Sequence, residues 1–123
     1  MAQIEMTPGT LIIRIEGADK LWALKSQLEI PLGHVAGVEP AEAEAREWWH
    51  GIRLGGTHLP GVISAGRFYE HGQWVFWDVH HPARAIAIAL RDERYSRLVV
   101  EVDDPSAAVA AIGSAVGAAA EAG

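Results

Sequence analysis

The sequence contains no cysteine, and this absence excludes several kinds of site at once. Disulfides, thiolate nucleophiles, cysteine-ligated zinc and iron–sulfur clusters all need that side chain. The absence is compatible with a reducing compartment, and we expect a cytoplasmic protein. We predict neither a cofactor nor a bound metal.

Positive charge is scarce as well, since ten Lys and Arg residues stand against sixteen Asp and Glu residues. The formal net charge is −6, and the cationic residues form no run. Nucleic acids and anionic membrane surfaces attract clustered cations, so neither is an expected ligand. The first residues lack a cationic segment, and no apolar run reaches the roughly 20 residues of a membrane span. We therefore predict neither a signal peptide nor an integral membrane segment.

Apolar residues make up half of the 123 positions, which is enough for one hydrophobic core. The chain shows no internal repeat and no linker long enough to separate two units. We therefore predict a single domain over residues 1–123. Its core is expected at about 9–117, followed by a frayed tail at 118–123.

The strongest local pattern is a β-hairpin within residues 61–79. Its arms are predicted at 62–69 and 73–79, and they meet at His71 and Gly72, because glycine accepts the positive φ of a tight turn. The second arm is apolar on both faces. Such a strand is either central in a sandwich or covered by another layer, such as a second subunit. This pattern is the best indication in the sequence of a homo-oligomer.

Alternating apolar residues predict further strands on both sides of the hairpin. These strands cover residues 10–16, 21–24, 28–32, 34–39, 84–90 and 97–102. In the segment 84–90, one face carries Ile86, Ile88 and Leu90, while the other carries alanines. Small residues on that second face predict that another element packs closely over it.

Two helices are predicted, one within this β pattern and one at its end. Residues 41–50 are mostly good helix formers that follow Pro40, so we expect a short helical insert or, as the alternative, a semi-ordered loop. Near the end of the chain, Asp104 can cap free N–H groups and Pro105 suits a first helical turn. The helix that starts there carries one apolar stripe, formed by Val109, Ile112 and Val116.

This order indicates a mainly β fold of about seven antiparallel strands with one C-terminal α-helix. The stretches 30–39, 59–68 and 84–104 resemble the bacterial pleckstrin-homology-like (PH-like) domains. The resemblance implies a PH-like, partly open barrel or sandwich and a binding or scaffold role without catalysis. Some eukaryotic PH domains hold phosphoinositides through a cationic cluster. That cluster has no counterpart in the first predicted hairpin, so phosphoinositide binding is not expected.

The function predicted on these grounds is a non-enzymatic protein-interaction or scaffold domain, which binds a partner protein or itself. Candidate contact residues are Trp48, Trp49, His58 and Trp77, since tryptophan is enriched at interface hot spots. The alternative for Trp48 and Trp49 is that the insert folds over an open end of the barrel and buries both rings. For Trp77, as for Trp22 and Trp74, packing inside the fold is the simpler interpretation.

A small-molecule binder or hydrolase is the alternative function. Asp78 and His80 would point to one side of a strand, and His58 could approach from the glycine-rich loop 51–61. A carboxylate and an imidazole placed together can share a proton or a metal. The competing explanation is that the histidines are turn residues in water. The sequence contains neither a Gly-x-Ser-x-Gly motif nor a phosphate-binding loop, so no such motif supports an enzyme.

Overall fold

The computed structural model describes residues 2–15, 27–46, 65–70, 72–79 and 81–122. At Ile15, 65–70 and 120–122 it describes the backbone alone. The predicted strand at 21–24 and the glycine-rich loop at 51–61 lie outside the described residues.

Eight strands form two sheets in the described part of the chain. The strands are β1 (Ala2–Thr7), β2 (Thr10–Ile15), β3 (Gln27–Pro31), β4 (Val35–Pro40), β5 (Ala65–Glu70), β6 (Gln73–Asp78), β7 (Ala85–Leu90) and β8 (Arg97–Glu101). The first sheet has the order β1-β2-β3, and the second has the order β4-β7-β8-β6-β5. The predicted mainly β class is confirmed, and the two sheets form a sandwich-like arrangement that is not closed into a barrel.

The hairpin predicted around Gly72 is present as β5 and β6. The two strands run antiparallel, from Ala65 opposite Asp78 to Glu70 opposite Gln73. Gly72 has a φ of 78°, the left-handed conformation that glycine adopts at little steric cost. The turn chemistry and the alternation of residues were therefore sufficient to locate this element.

One pairing differs from the predicted antiparallel arrangement, because β6 and β8 are parallel neighbours. Successive strands β6, β7 and β8 still alternate in direction along the chain, since β7 pairs antiparallel with β8. Only the spatial order changes, with β8 inserted between its two predecessors. The sequence pattern does not distinguish these orders, because both bury the same side chains on the same faces.

The main core lies between the two sheets and the C-terminal helix. The first sheet contributes Leu11, Ile13, Leu28 and Ile30 to this cluster. The second sheet contributes aliphatic and aromatic side chains that include Phe76, Ile86, Ile88, Leu98 and Val100. The inward faces that alternation predicts for β2, β7 and β8 are thus confirmed.

The opposite face of the second sheet carries a second, separate cluster, in which alanine and valine side chains surround Trp77. Residues 42–46 form a short helix, α1, as predicted for the insert. The buried Ala41, just before this helix, and Ala45, within it, cluster with Ala85, Ala87 and Trp77. The alanines of β7 therefore mark the face over which another element packs closely.

The C-terminal helix, α2 (Pro105–Ala122), begins where the sequence predicts. Asp104 accepts a hydrogen bond at Oδ1 from the backbone N–H of Ala107, at 3.1 Å. Ile112 is fully buried and Val109 and Val116 pack against the same core. The helix continues past the expected fraying point because its last residues are mostly alanine, the strongest helix former. No helix in the described part of the chain combines the length and hydropathy that crossing a membrane would need.

Candidate functional site

Trp74 is the only exposed large apolar side chain in the described part of the chain, with 45% of its surface accessible. It lies near the start of β6, on the same face as the fully buried Phe76. The two rings differ in exposure because Phe76 packs edge-on against Tyr95, with ring centroids 5.6 Å apart, whereas Trp74 lies nearer the end of the strand. The prediction that Trp74 packs inside the fold is therefore wrong.

Residues 72–74 and 90–96 surround a concavity of about 400 Å³, which we call the Trp74 patch. Its rim includes Arg91 and Arg94, both exposed, beside the indole of Trp74. Arginine and tryptophan are the side chains most enriched at protein-interface hot spots. The patch thus combines an exposed aromatic ring, two guanidinium groups and a concave shape.

The loop between β7 and β8 is anchored to its neighbours by backbone hydrogen bonds. Ser96 donates its N–H to the carbonyl of Trp74 at 2.9 Å, and Leu90 donates to the carbonyl of Ser96 at the same distance. Arg91 donates to the carbonyl of His34 at 2.8 Å. These bonds hold the loop against β6 and the turn before β4.

A side-chain pair reinforces this anchoring. His34 Nδ1 and Glu93 Oε2 lie 2.5 Å apart, and both side chains are partly buried. Asp92, beside this pair, has a φ of 56°, a backbone conformation that aspartate tolerates better than most residues. Glu93 is thus a structural partner of His34, on the other side of the loop.

The structure locates only one of the predicted contact residues. Trp48, Trp49 and His58 lie outside the described residues. Trp77 is 2% exposed and packs in the cluster beneath α1, as expected for a packing residue. A ring in this position does not reach a partner unless α1 moves away.

The alternative, hydrolytic site was predicted to use Asp78 with two histidines. His58 and His80 lie outside the described residues, and the Asp78 side chain is fully buried. Strand alternation places Asp78 on the face of Phe76, toward the main core. Asp78 is not without an interaction partner, so its burial alone does not indicate a reactive group.

Glu101 is the second buried carboxylate, and it lies on the other face of the sheet, with Val99. It accepts hydrogen bonds from the backbone N–H and from Nδ1 of His81, at 2.8 and 2.9 Å. Because Asp78 and Glu101 face opposite sides of neighbouring strands, they do not form a pair of catalytic carboxylates. The Glu101 contacts instead anchor the chain between β6 and β7.

Within the described ranges, no three His, Asp or Glu side chains converge in a way that could hold a metal ion. Comparisons with protein-family models, curated proteins and solved structures found no match for the chain. The candidate site is therefore argued from its own geometry.

Proposed function

We propose that this chain is a non-enzymatic protein-interaction domain whose contact surface is centred on the Trp74 patch. The observation that carries the proposal is the 45% exposure of Trp74 in a fold that buries its other described large apolar side chains more deeply. An exposed tryptophan ring gains apolar burial when a partner covers it. This gain favours a partner protein with an apolar or acidic contact residue.

The backbone around the patch supports this role because it is already ordered. Hydrogen bonds from Ser96 to Trp74 and from Arg91 to His34 hold the loop before any partner arrives. Binding to a preorganised surface loses less conformational entropy than binding to a mobile loop. The charges fit the same interpretation, since Glu93 is engaged with His34, while Arg91 and Arg94 line the patch and are exposed.

A different protein is a better partner for this surface than a second copy. The hairpin strand β6 is apolar on both faces, but the chain itself covers both of them. Phe76 lies in the main core, and Val75 and Trp77 pack beneath α1. The pattern that predicts self-association is thus accounted for within one molecule, and the net charge of −6 also opposes close approach of two copies.

Membership of the bacterial PH-like domains is part of this proposal. The C-terminal helix packed beside two open sheets supports it in outline, while the parallel pair β6–β8 departs from a consecutive antiparallel order. The acidic net charge supports a protein ligand over a phosphoinositide or a nucleic acid.

The test is affinity capture from an extract of the source cells with wild-type protein and with Trp74→Ala. We expect the variant to lose its captured partner, with binding at least about tenfold weaker, because hot-spot tryptophans contribute roughly 2 kcal/mol or more. Arg46→Ala, an exposed change on α1, is the matched control and should capture the partner normally. Circular dichroism checks that each variant folds.

Two results would contradict the proposal. One is a set of captured proteins that is identical for wild type and Trp74→Ala. The other is a stable oligomer, detected by light scattering, that dissociates in the Trp74→Ala variant. The partner would then be a second copy of the chain.

A further inference from the structure

A second surface lies between the first strand and the C-terminal helix. One wall is formed by residues 2–6 of β1, and the other by the segment that leads into α2. The residues of this second wall are Val102, Asp103, Asp104, Ala107, Ala108 and Ala111. Together they enclose about 420 Å³, which we call the β1 groove. Consecutive strand residues point to opposite faces, so a groove lined by five of them in a row follows the edge of the strand.

Strand β1 is an edge strand in the described sheet, and its one charged side chain, Glu5, is paired with Arg14 of β2. Its register with β2 is unbroken from Ala2 to Thr7, without a bulge, a proline or a lysine. By contrast, β3 ends in Pro31, and β4 has a register shift between Val35 and Gly37. Among these edges, β1 is the one best suited to accept another strand.

The hydrogen-bonding groups of β1 are arranged for such an addition. Thr7 and Thr10 flank a two-residue turn and therefore form a hydrogen-bonded pair. Along the two strands, pairs that exchange hydrogen bonds then alternate with pairs whose N–H and C=O groups point away from the neighbouring strand. The backbone groups of Ala2, Ile4 and Met6 then point away from β2, toward the groove. Three residues can thus offer both N–H and C=O to an added strand.

The groove is acidic. Glu5, Asp103 and Asp104 are among the described residues that line it, and no Lys or Arg is. Glu5 is paired with Arg14, and Asp104 caps α2. The helix N-terminus contributes about half a positive charge. Three carboxylates outweigh Arg14 and this partial charge together, so the groove favours a cationic ligand.

We infer that the β1 groove binds an extended segment of a partner protein that carries Lys or Arg at alternate positions. The segment adds a fourth strand beside β1, with its cations near Gln3 and Glu5 and its small apolar residues beside Ile4 and Met6. The alanines of α2 allow its backbone to lie close. A second copy of β1 fits this acidic groove less well, because its only charged residue, Glu5, is itself negative. This inference rests on the proposed role as a protein-interaction domain.

The experiment is a titration of the ¹⁵N-labelled protein with an end-capped Lys-Val-Lys-Val-Lys-Val-Lys peptide, followed by amide chemical shifts. We expect saturable shifts confined to residues 2–6 and 102–111. A peptide with Glu in place of Lys should not bind. Peptide N-methylated at its valines, which cannot complete a strand ladder, should bind at least about tenfold more weakly, because each lost hydrogen bond contributes about 1 kcal/mol.

Two pairs of variants separate the groove from other surfaces. Ala111→Trp fills the groove and should weaken binding about tenfold or more, whereas Ala118→Trp, two turns further along the same side of α2, should not. Asp103→Asn should weaken it about two- to fivefold, as expected for a solvent-exposed charge pair. Glu29→Gln removes the same charge from an exposed position on β3 and should leave the affinity unchanged.

Equal binding of the Lys and Glu peptides, no binding of either, or formation of a dimer through β1 would overturn the inference. So would amide shifts that map to residues 72–74 and 90–96. That last result leaves the proposed function intact, because it places a peptide on the Trp74 patch. Failure of the proposed function is measured separately, by capture with Trp74→Ala.

Discussion

The two faces of the second sheet are built from the same strands but differ in the size of their side chains. The inner face carries Phe76, Ile86, Ile88 and Leu98, which fill the space between two layers. The outer face carries Ala85 and Ala87 on β7, with Val75, Val99 and the ring of Trp77 beside them, and α1 lies over it. Along β7, which alternates isoleucine with alanine, the difference shows that residue size reports the kind of neighbour. Large residues span the wide gap between packed sheets, and small ones allow a helix to approach closely.

The largest effect is expected from a cavity on the inner face. Phe76→Ala should lower the free energy of unfolding by about 3–5 kcal/mol, because the Phe76 side chain is fully buried. Trp74→Ala removes an aromatic ring from the same face of the same strand, but that ring is half-exposed and should contribute less. Urea denaturation of both variants measures the difference. Equal losses would mean that Trp74 is part of the core.

A smaller effect is expected from overfilling the outer face. Ala85 is 1% exposed, and its carbonyl accepts a hydrogen bond from the N–H of Ala41 at the start of the α1 segment, so Ala85→Leu should destabilise by about 1–3 kcal/mol. Ala89→Leu is the control, because Ala89 is only half-buried and adjoins an open cavity lined by Gly37, Val38 and Arg97. Thermal melting of the two variants tests whether α1 packs closely over this face. A tolerated Ala85→Leu would contradict that packing.

The smallest effect concerns the ion pair that fastens α1 to the outer face. Arg97 Nη2 lies 2.5 Å from Glu44 Oε1, with both side chains about one-third exposed. A double-mutant cycle with Glu44→Gln and Arg97→Gln should give a coupling of about 0.5–1 kcal/mol. The exposed pair Glu42–Arg46 within α1 should give roughly 0.3–0.5 kcal/mol. A larger coupling at Glu42 than at Glu44 would show that the Arg97 contact does not hold the helix.

Much of this fold could be predicted because local patterns determine it. The period of two in β7 and β8, the turn at Gly72 and the cap at Asp104 each depend on neighbouring residues. The helical insert was predictable for the same reason, since residues 41–46 are mostly strong helix formers. Even the cover over the β7 alanines followed from their size.

One strand of the first sheet shows what was overlooked. Strand β1 is absent from the predictions, although Ile4 and Met6 alternate with Gln3 and Glu5. Pro8 and Gly9 mark the turn that follows, with proline before a glycine of positive φ. The signal was therefore present in the sequence.

The candidate site was harder to predict because it depends on contacts distant in sequence. Trp74 has the composition of a core residue, and only its position near the strand end leaves it exposed. The pairing of His34 with Glu93 joins residues 59 positions apart. The periodicity of the sequence encodes neither such a contact nor the order in which the strands pair.

The place of β8 in its sheet has a consequence for synthesis of the chain. This strand is the middle one of five, yet it is the last of them to leave the ribosome. A nascent chain that ends before residue 97 has only the separate pairs β4–β7 and β5–β6, and isolated two-stranded pairs are marginally stable in water. The five-stranded sheet therefore assembles only after residues 97–101 have emerged and joined the two pairs.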